Sequence, residues 1–367
     1  MIATTRSRFP WTTLAPILAA VVLVAAWGRH PGPVVAGVIA LFLVAAVLAA
    51  VHHAEVVAHR VGEPFGSLLL AVAVTVIEVA LIVTLMVTND KDTSTLARDT
   101  VFAAVMISVN GIVGLSLLVG ALKHHLAVFN PEGTGSALAT VITLASLTLV
   151  LPRFTTSSPG AEFTGSQLAF AAVASLVLYG MFVFTQTVQH RDFFLPVVTH
   201  PGPRPDDHDG CADAPDNRAA LTSVALLVAA LIAVVGLAKV ESASIEDAVA
   251  AVGFPAAFVG VVIALLVLLP ESISAVRAAA RNDVQTSLNL AYGSAMASIG
   301  LTIPTIALAS VWLDGPLDLG LEPLQIVLLF VSMIVSVLTV VPGRAKPLAG
   351  GVHLVLLASY IFLSIKP

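Results

Sequence analysis

Two glutamates sit where a charge is costly. Glu78 lies in the stretch GEPFGSLLLAVAVTVIEVALIV from Gly62 to Val83, and Glu271 in PAAFVGVVIALLVLLPESISAV from Pro255 to Val276. A carboxylate near the centre of a bilayer costs several kcal/mol unless it is paired, solvated or neutralised, so an acid on such a helix points to the handling of protons or cations. The two stretches align without a gap, Phe65 on Phe258 and Glu78 on Glu271, and the glutamates are their only ionisable match. One such acid could simply be a protonated group bonded between helices; recurrence at matching positions favours a shared chemical task. Pro270, next to Glu271, lacks an amide donor and so leaves a backbone carbonyl available to a cation. The apolar run that follows carries Ser287, Asn289, Tyr292, Ser294, Ser298 and Thr302, with Gly293 and Gly300 among them. Its counterpart in the first half carries Ser108, Asn110 and Ser116, with Gly111 and Gly114. This polarity is too dense for lipid-facing helices. It serves oxygen donation, with Asn110 the natural ligand, or close packing of small residues, or both.

A second constellation is His52, Glu55 and His59, whose i, i+3, i+7 spacing puts them on one helical face with His53 beside them. Histidine titrates near neutrality, so these residues with Glu63 could relay protons or sense pH. They could also bind metal, or cap a membrane span at the headgroups, since Arg60 and Glu63 follow directly. No HExxH is present, which weakens a zinc protease.

These residues need a membrane to position them. Of the 367 residues, 58% are apolar and 11% charged, a balance soluble domains of this length do not reach. A helical span takes about 20 apolar residues, because every backbone amide must be satisfied within the segment. Runs such as Val34 to Val51 and Leu221 to Leu237 are apolar on every face, which excludes the alternation of a barrel strand. Spans are expected near 11–28, 33–52, 66–88, 100–122, 135–151, 166–187, 220–239, 250–276, 284–312, 322–341 and 347–365, an all-α membrane protein of about eleven helices. The fifth is short for a full crossing. Arg6 and Arg8 before Leu14 to Trp27 could mark a signal peptide, but no convincing cleavage motif follows, so this run is read as the first helix.

Five spans separate the third helix from the eighth, so the two run in opposite directions. The chain then divides into an N-terminal helix (1–32), a five-helix repeat (33–188), a loop (189–219) and an inverted five-helix repeat (220–367), the usual construction of secondary transporters. The loop holds Pro196, Pro201, Pro203, Pro205 and Pro215 among many aspartates and cannot build a core. It reads as a solvated cytoplasmic linker, or as a cation-sensing loop with His190, His200 and His208 as extra donors. With the N-terminus inside, eleven of the 17 lysines and arginines are cytoplasmic, so the C-terminus is expected outside. Cys211 has no partner, and a net charge of -5 with scattered basic residues points to no nucleic acid.

Three segments carry a specific resemblance: HHAEVVAHRVGEPFG from His52, IEVALIVTLM from Ile77, and LPESISAVRAAARNDVQTSLNLAYGSAMASIGLTIP from Leu269. They resemble the calcium/proton exchanger family of the cation antiporter superfamily, most closely its bacterial branch of sodium(potassium)/calcium:proton antiporters, over nearly the whole chain. The resemblance implies eleven helices with an acidic loop after the sixth, and a bacterial plasma membrane. It implies that Glu78 and Glu271 are the paired cation- and proton-binding acids, with Asn110 and Ser294 at polar positions of the neighbouring helices; Thr75 and Ser298 are the further candidate ligands. Many members carry asparagine three residues before each glutamate; here those positions are Thr75 and Leu268. That removes two oxygen ligands from a site that Ca²⁺, which takes six to eight, would want.

Two carboxylates sharing a dry site cannot both stay ionised without a cation, so metal and protons compete for them. Exchange of Ca²⁺, Na⁺ or K⁺ for H⁺ is the expected function, with no cofactor and no catalysis. The competing expectations are a membrane metalloenzyme built on His52, Glu55 and His59, which leaves the recurrence of the glutamate unexplained, and a cation channel.

Overall fold

The computed structural model describes residues 11–29, 31–61, 65–88, 94–197, 216–312 and 316–366, with the side chains of 65–72, 85, 87 and 88 left aside. Eleven helical segments follow one another: α1 (Trp11–Ala26), α2 (Pro33–Val61), α3 (Phe65–Thr88), α4 (Leu96–His124), α5 (Pro131–Arg153), α6 (Gly165–Gln189), α7 (Asn217–Ala251), α8 (Phe258–Ala280), α9 (Val284–Ala309), α10 (Pro323–Val340) and α11 (Pro347–Ile365). Among the described residues nine helices are long and apolar enough to cross a membrane. The protein is an all-α, multi-pass membrane protein.

Local chemistry sets the helix starts. Asn130 accepts from the amides of Glu132 and Gly133 ahead of α5, with Pro131 in the first turn where an amide is not needed. Thr164 with Gln167, and Glu322 with Gln325, form reciprocal caps on α6 and α10. Three helices depart from regular α geometry. α4 widens into a π turn at Ile107–Ile112, α5 at Ser146–Val150 and α6 at Thr185–Gln189.

The boundaries differ from the expected ones in three places. α2 continues to Val61, because Ala54, Val56, Val57 and Ala58 among the histidines keep it a good helix and bury Ala54 and Val57. α5 is 23 residues long, a full crossing, because its polar start Pro131–Ser136 is helical although not apolar. Residues 240–251 extend α7 to 35 residues, where 240–249 were expected to connect two spans and 250–251 to open α8, since nothing before Val252 breaks the helix; the turn falls at Gly253, whose φ is +74°.

The helices cluster into two compact units. One contains α1, α2, α3 and α7 up to Ile245; the other contains α4, α5, α6, α8, α9, α10, α11 and the end of α7. Each unit therefore draws on both halves of the sequence. In the first, α2 packs against α1 and α3. There Lys239 lies over the Trp27 ring at 5.2 Å and Arg60 donates to Asn217 at 2.6 Å, tying α7 to α1 and α2. In the second, α8 packs against α4 and α9, and α4 against α11. A two-residue antiparallel pairing, Ala127 with Ala345 and Val128 with Arg344, joins the connection after α4 to the one before α11.

Candidate functional site

In the first unit Glu78 is 2% exposed on α3, with Thr75 one turn earlier also buried. Ala73, Val74, Ile77, Leu81 and Ile82 surround it on the same helix and are buried too. On α2 the expected histidine cluster divides. His53 is buried and its Nε2 bonds the carbonyl of Thr12 at 3.0 Å, so it fastens α1 to α2. His52 and His59 are exposed and Glu55 half-buried. The His52 and His53 rings meet edge-on at 5.5 Å. Among the described residues no group of three or more His, Cys, Asp or Glu is placed to hold a metal ion. Glu63, His200 and His208 lie outside the described residues. Glu241 on α7, which sequence reasoning passed over because Lys239, Glu246 and Asp247 crowd the same helix end, is 2% exposed.

In the second unit Glu271 is half-buried on α8, which runs unbroken through Pro270. The carbonyl of Leu266 has no amide at position 270 to accept, the local loosening that the proline predicts. Leu268, three residues before Glu271, is fully buried. On α9 Ser298 is buried and Ser294 half-buried. Much of the remaining polarity of α9 is structural. Asn289 donates to the carbonyl of Phe194 at 2.7 Å, Gln285 donates to Asn289 and accepts from the Asn130 amide, and Ser287 meets Ser116 of α4. Gly300 lies against Tyr179, whose Cβ stands 2.9 Å from where an added methyl would be.

Asn110 sits in the π turn of α4, wholly buried. Its Nδ2 donates to Ser332 Oγ on α10 at 2.9 Å, and its Oδ1 lies 3.2 Å from His353 Nδ1 on α11. The other ring nitrogen of His353 lies 3.2 Å from Thr339 Oγ1. His353 and Ser332 escaped the sequence reading because each sits in an apolar run, and only the folded arrangement brings them to Asn110.

At the other end of α4, Arg98 and Asp99 are buried. The Arg98 Nε to Asp99 Oδ1 distance is 2.9 Å, and Arg98 also donates to the carbonyl of Gly320 at 3.2 Å. Glu322 lies 3.7 Å from both Arg98 and Arg153. Arg98, Asp99 and Glu322, with Gln325, Tyr360 and Ser364, line a cavity of about 190 Å³.

Residues 32–188 and 222–366 match the pattern of the sodium/calcium exchanger protein family. The chain is 46% identical over 328 residues to the Sinorhizobium fredii protein y4hA, covering 89% of this chain and 87% of that protein. It is 36% identical over 361 residues to the Escherichia coli sodium-potassium/proton antiporter ChaA, covering 97% and 96%. The fold resembles the crystal structure of the selenium-substituted Ca²⁺/H⁺ antiporter YfkE, with a TM-score of 0.71, 16% identity and coverage of 97% and 98%. Eleven helical segments in this order agree with these likenesses: the chain is an ion transporter and belongs to the sodium/calcium exchanger family.

Proposed function

We propose that this protein exports a metal cation, Ca²⁺, Na⁺ or K⁺, in exchange for protons across the bacterial plasma membrane, with its N-terminus cytoplasmic and C-terminus outside. Glu78 and Glu271 carry both cargoes in turn, helped by Asn110, Thr75, Ser294 and Ser298. The observation that carries the reading is one acid at the matching position of each sequence repeat, Glu78 buried on α3 and Glu271 next to Pro270 on α8. Occupancy by metal excludes protons, and if only a filled site can rock between inward and outward states, exchange follows from that exclusion. A pH difference of one unit supplies about 1.4 kcal/mol per proton. Moving a net charge across 100 mV is worth about 2.3 kcal/mol, so the stoichiometry sets the direction.

The buried Leu268, which has no oxygen to offer, favours Na⁺ or K⁺ over Ca²⁺, because Ca²⁺ takes more oxygen ligands. The E. coli relative's name, a sodium-potassium/proton antiporter, supports the same preference. Everted vesicles test it. Adding Na⁺, K⁺ or Ca²⁺ separately to vesicles holding an imposed pH gradient collapses the gradient for the transported ion. Glu78→Gln and Glu271→Gln each abolish the response while the protein stays in the membrane. Retained exchange in both variants refutes the assignment, and a cation response without proton dependence indicates a channel.

A further inference from the structure

The geometry points to His353 as the residue that decides which end of the Asn110 carboxamide faces a transported cation. The inference rests on the exchange function proposed above, with Asn110 as one of its oxygen donors. A carboxamide is two-faced: its oxygen attracts a cation and its NH₂ repels one, and nothing intrinsic to the side chain chooses between them. Here two neighbours choose. Ser332 takes the NH₂ at 2.9 Å, and the Nδ1–H of His353 holds the oxygen at 3.2 Å. The oxygen has two lone pairs, so one bond from His353 leaves the second for an ion. His353 can donate from Nδ1 while neutral because Thr339 Oγ1, 3.2 Å from Nε2, can donate to the other nitrogen. The ring thus needs no charge in its buried position.

Asn110 lies inside the π turn Ile107–Ile112. π turns widen a helix and recur at functional sites. α11 reaches this turn because two glycines let the helices touch. A methyl added at Gly350 would lie 2.7 Å from the Gly114 carbonyl, and one added at Gly114 would lie 3.0 Å from the Cβ of His353. Gly114 stands one turn beyond Asn110 and Gly350 one turn before His353, so the close crossing and the hydrogen bond come as a pair. His353 is a positioning residue, acting on the ion through Asn110.

The test is the half-saturating Na⁺ and Ca²⁺ concentration for collapse of a pH gradient in everted vesicles, with the amount of inserted protein measured alongside. His353→Leu raises half-saturation about tenfold or more, the usual effect of removing the partner that orients a ligand, with maximal exchange little changed. His353→Gln, which restores an N–H donor but cannot titrate, recovers most of the loss. Asn110→Leu gives a comparable rise, and the double variant Asn110→Leu/His353→Leu is no worse than the more impaired single. Unchanged half-saturation in His353→Leu, or effects that multiply in the double variant, overturns the inference. So does a His353→Gln protein whose cation affinity stays low while one limb of its pH profile disappears, which would make His353 a proton carrier. Thr339→Val, which leaves the ring in place, keeps the question open to measurement if His353→Leu does not insert: it raises half-saturation more modestly, and no rise counts against the network. If Glu78→Gln and Glu271→Gln abolish exchange while His353→Leu behaves as wild type, only this inference fails; if both glutamate variants still exchange, the transport assignment fails first.

Discussion

At the scale of single residues, the buried charges divide into those expected to work and those that hold the structure. Arg98 is of the second kind: it bonds Asp99 at 2.9 Å and the Gly320 carbonyl at 3.2 Å, and both members of the ion pair are buried. Removing one member of such a pair strands the other charge, a loss of about 3–5 kcal/mol. Arg98→Ala is therefore expected to lower the melting temperature in detergent by several degrees, and Arg98→Ala/Asp99→Ala to recover much of it. A double variant no more stable than the single would show that Asp99 finds another partner. Asn289 teaches a similar lesson from the neutral side. In sequence it is as attractive a cation ligand as Asn110, yet its amide is committed to the Phe194 carbonyl and to Gln285. The polar residues of α9 were legible; which of them tie loops down was not, because a hydrogen-bond partner almost a hundred residues away leaves no trace in local spacing.

At the scale of elements, the glycines of α4 and α11 decide how near two helices can come. A methyl on Gly350 would sit 2.6 Å from the Leu118 amide nitrogen and 2.7 Å from the Gly114 oxygen, and backbone atoms cannot step aside as a side-chain tip can. Gly350→Ala is expected to cost about 1–3 kcal/mol, read as thermal stability in detergent, because it overpacks the crossing. Gly351→Ala is the internal control. Nothing lies within 4 Å of its added methyl, and alanine is the better helix former by up to about 1 kcal/mol, so stability should hold or rise. Equal losses in both would mean that the crossing does not govern stability. The helix count and the approximate spans were readable from apolar runs alone. The ends were not, since α2 and α7 continue past their apolar stretches into polar sequence that still favours helix.

At the scale of the whole molecule, the distribution of lysine and arginine makes a topological prediction that the chain's single cysteine can test. Cys211 falls in the connection assigned to the cytoplasm. A membrane-impermeant maleimide should label it in everted vesicles and leave it unlabelled in intact cells. Labelling from outside would invert the assigned orientation, and with it the sense in which each glutamate meets protons. The two compact units add what no linear reading contained: each takes helices from both sequence halves, with α7 grouping with α1–α3 up to Ile245 and α8–α11 grouping with α4–α6.

Hydropathy, the recurrence of a glutamate and the scatter of basic residues determined the membrane class, the number of helices and the two acids worth testing. These are properties of individual segments, each obliged to satisfy its own backbone and bury its own apolar surface, so they survive in linear order. The partners of Asn110, the structural task of His53, the buried Arg98–Asp99 pair and the grouping into units were decided by tertiary structure. Each depends on side chains from helices distant in sequence meeting at a few ångströms, and that distance is set by helix packing, which the spacing of residues along one chain does not encode.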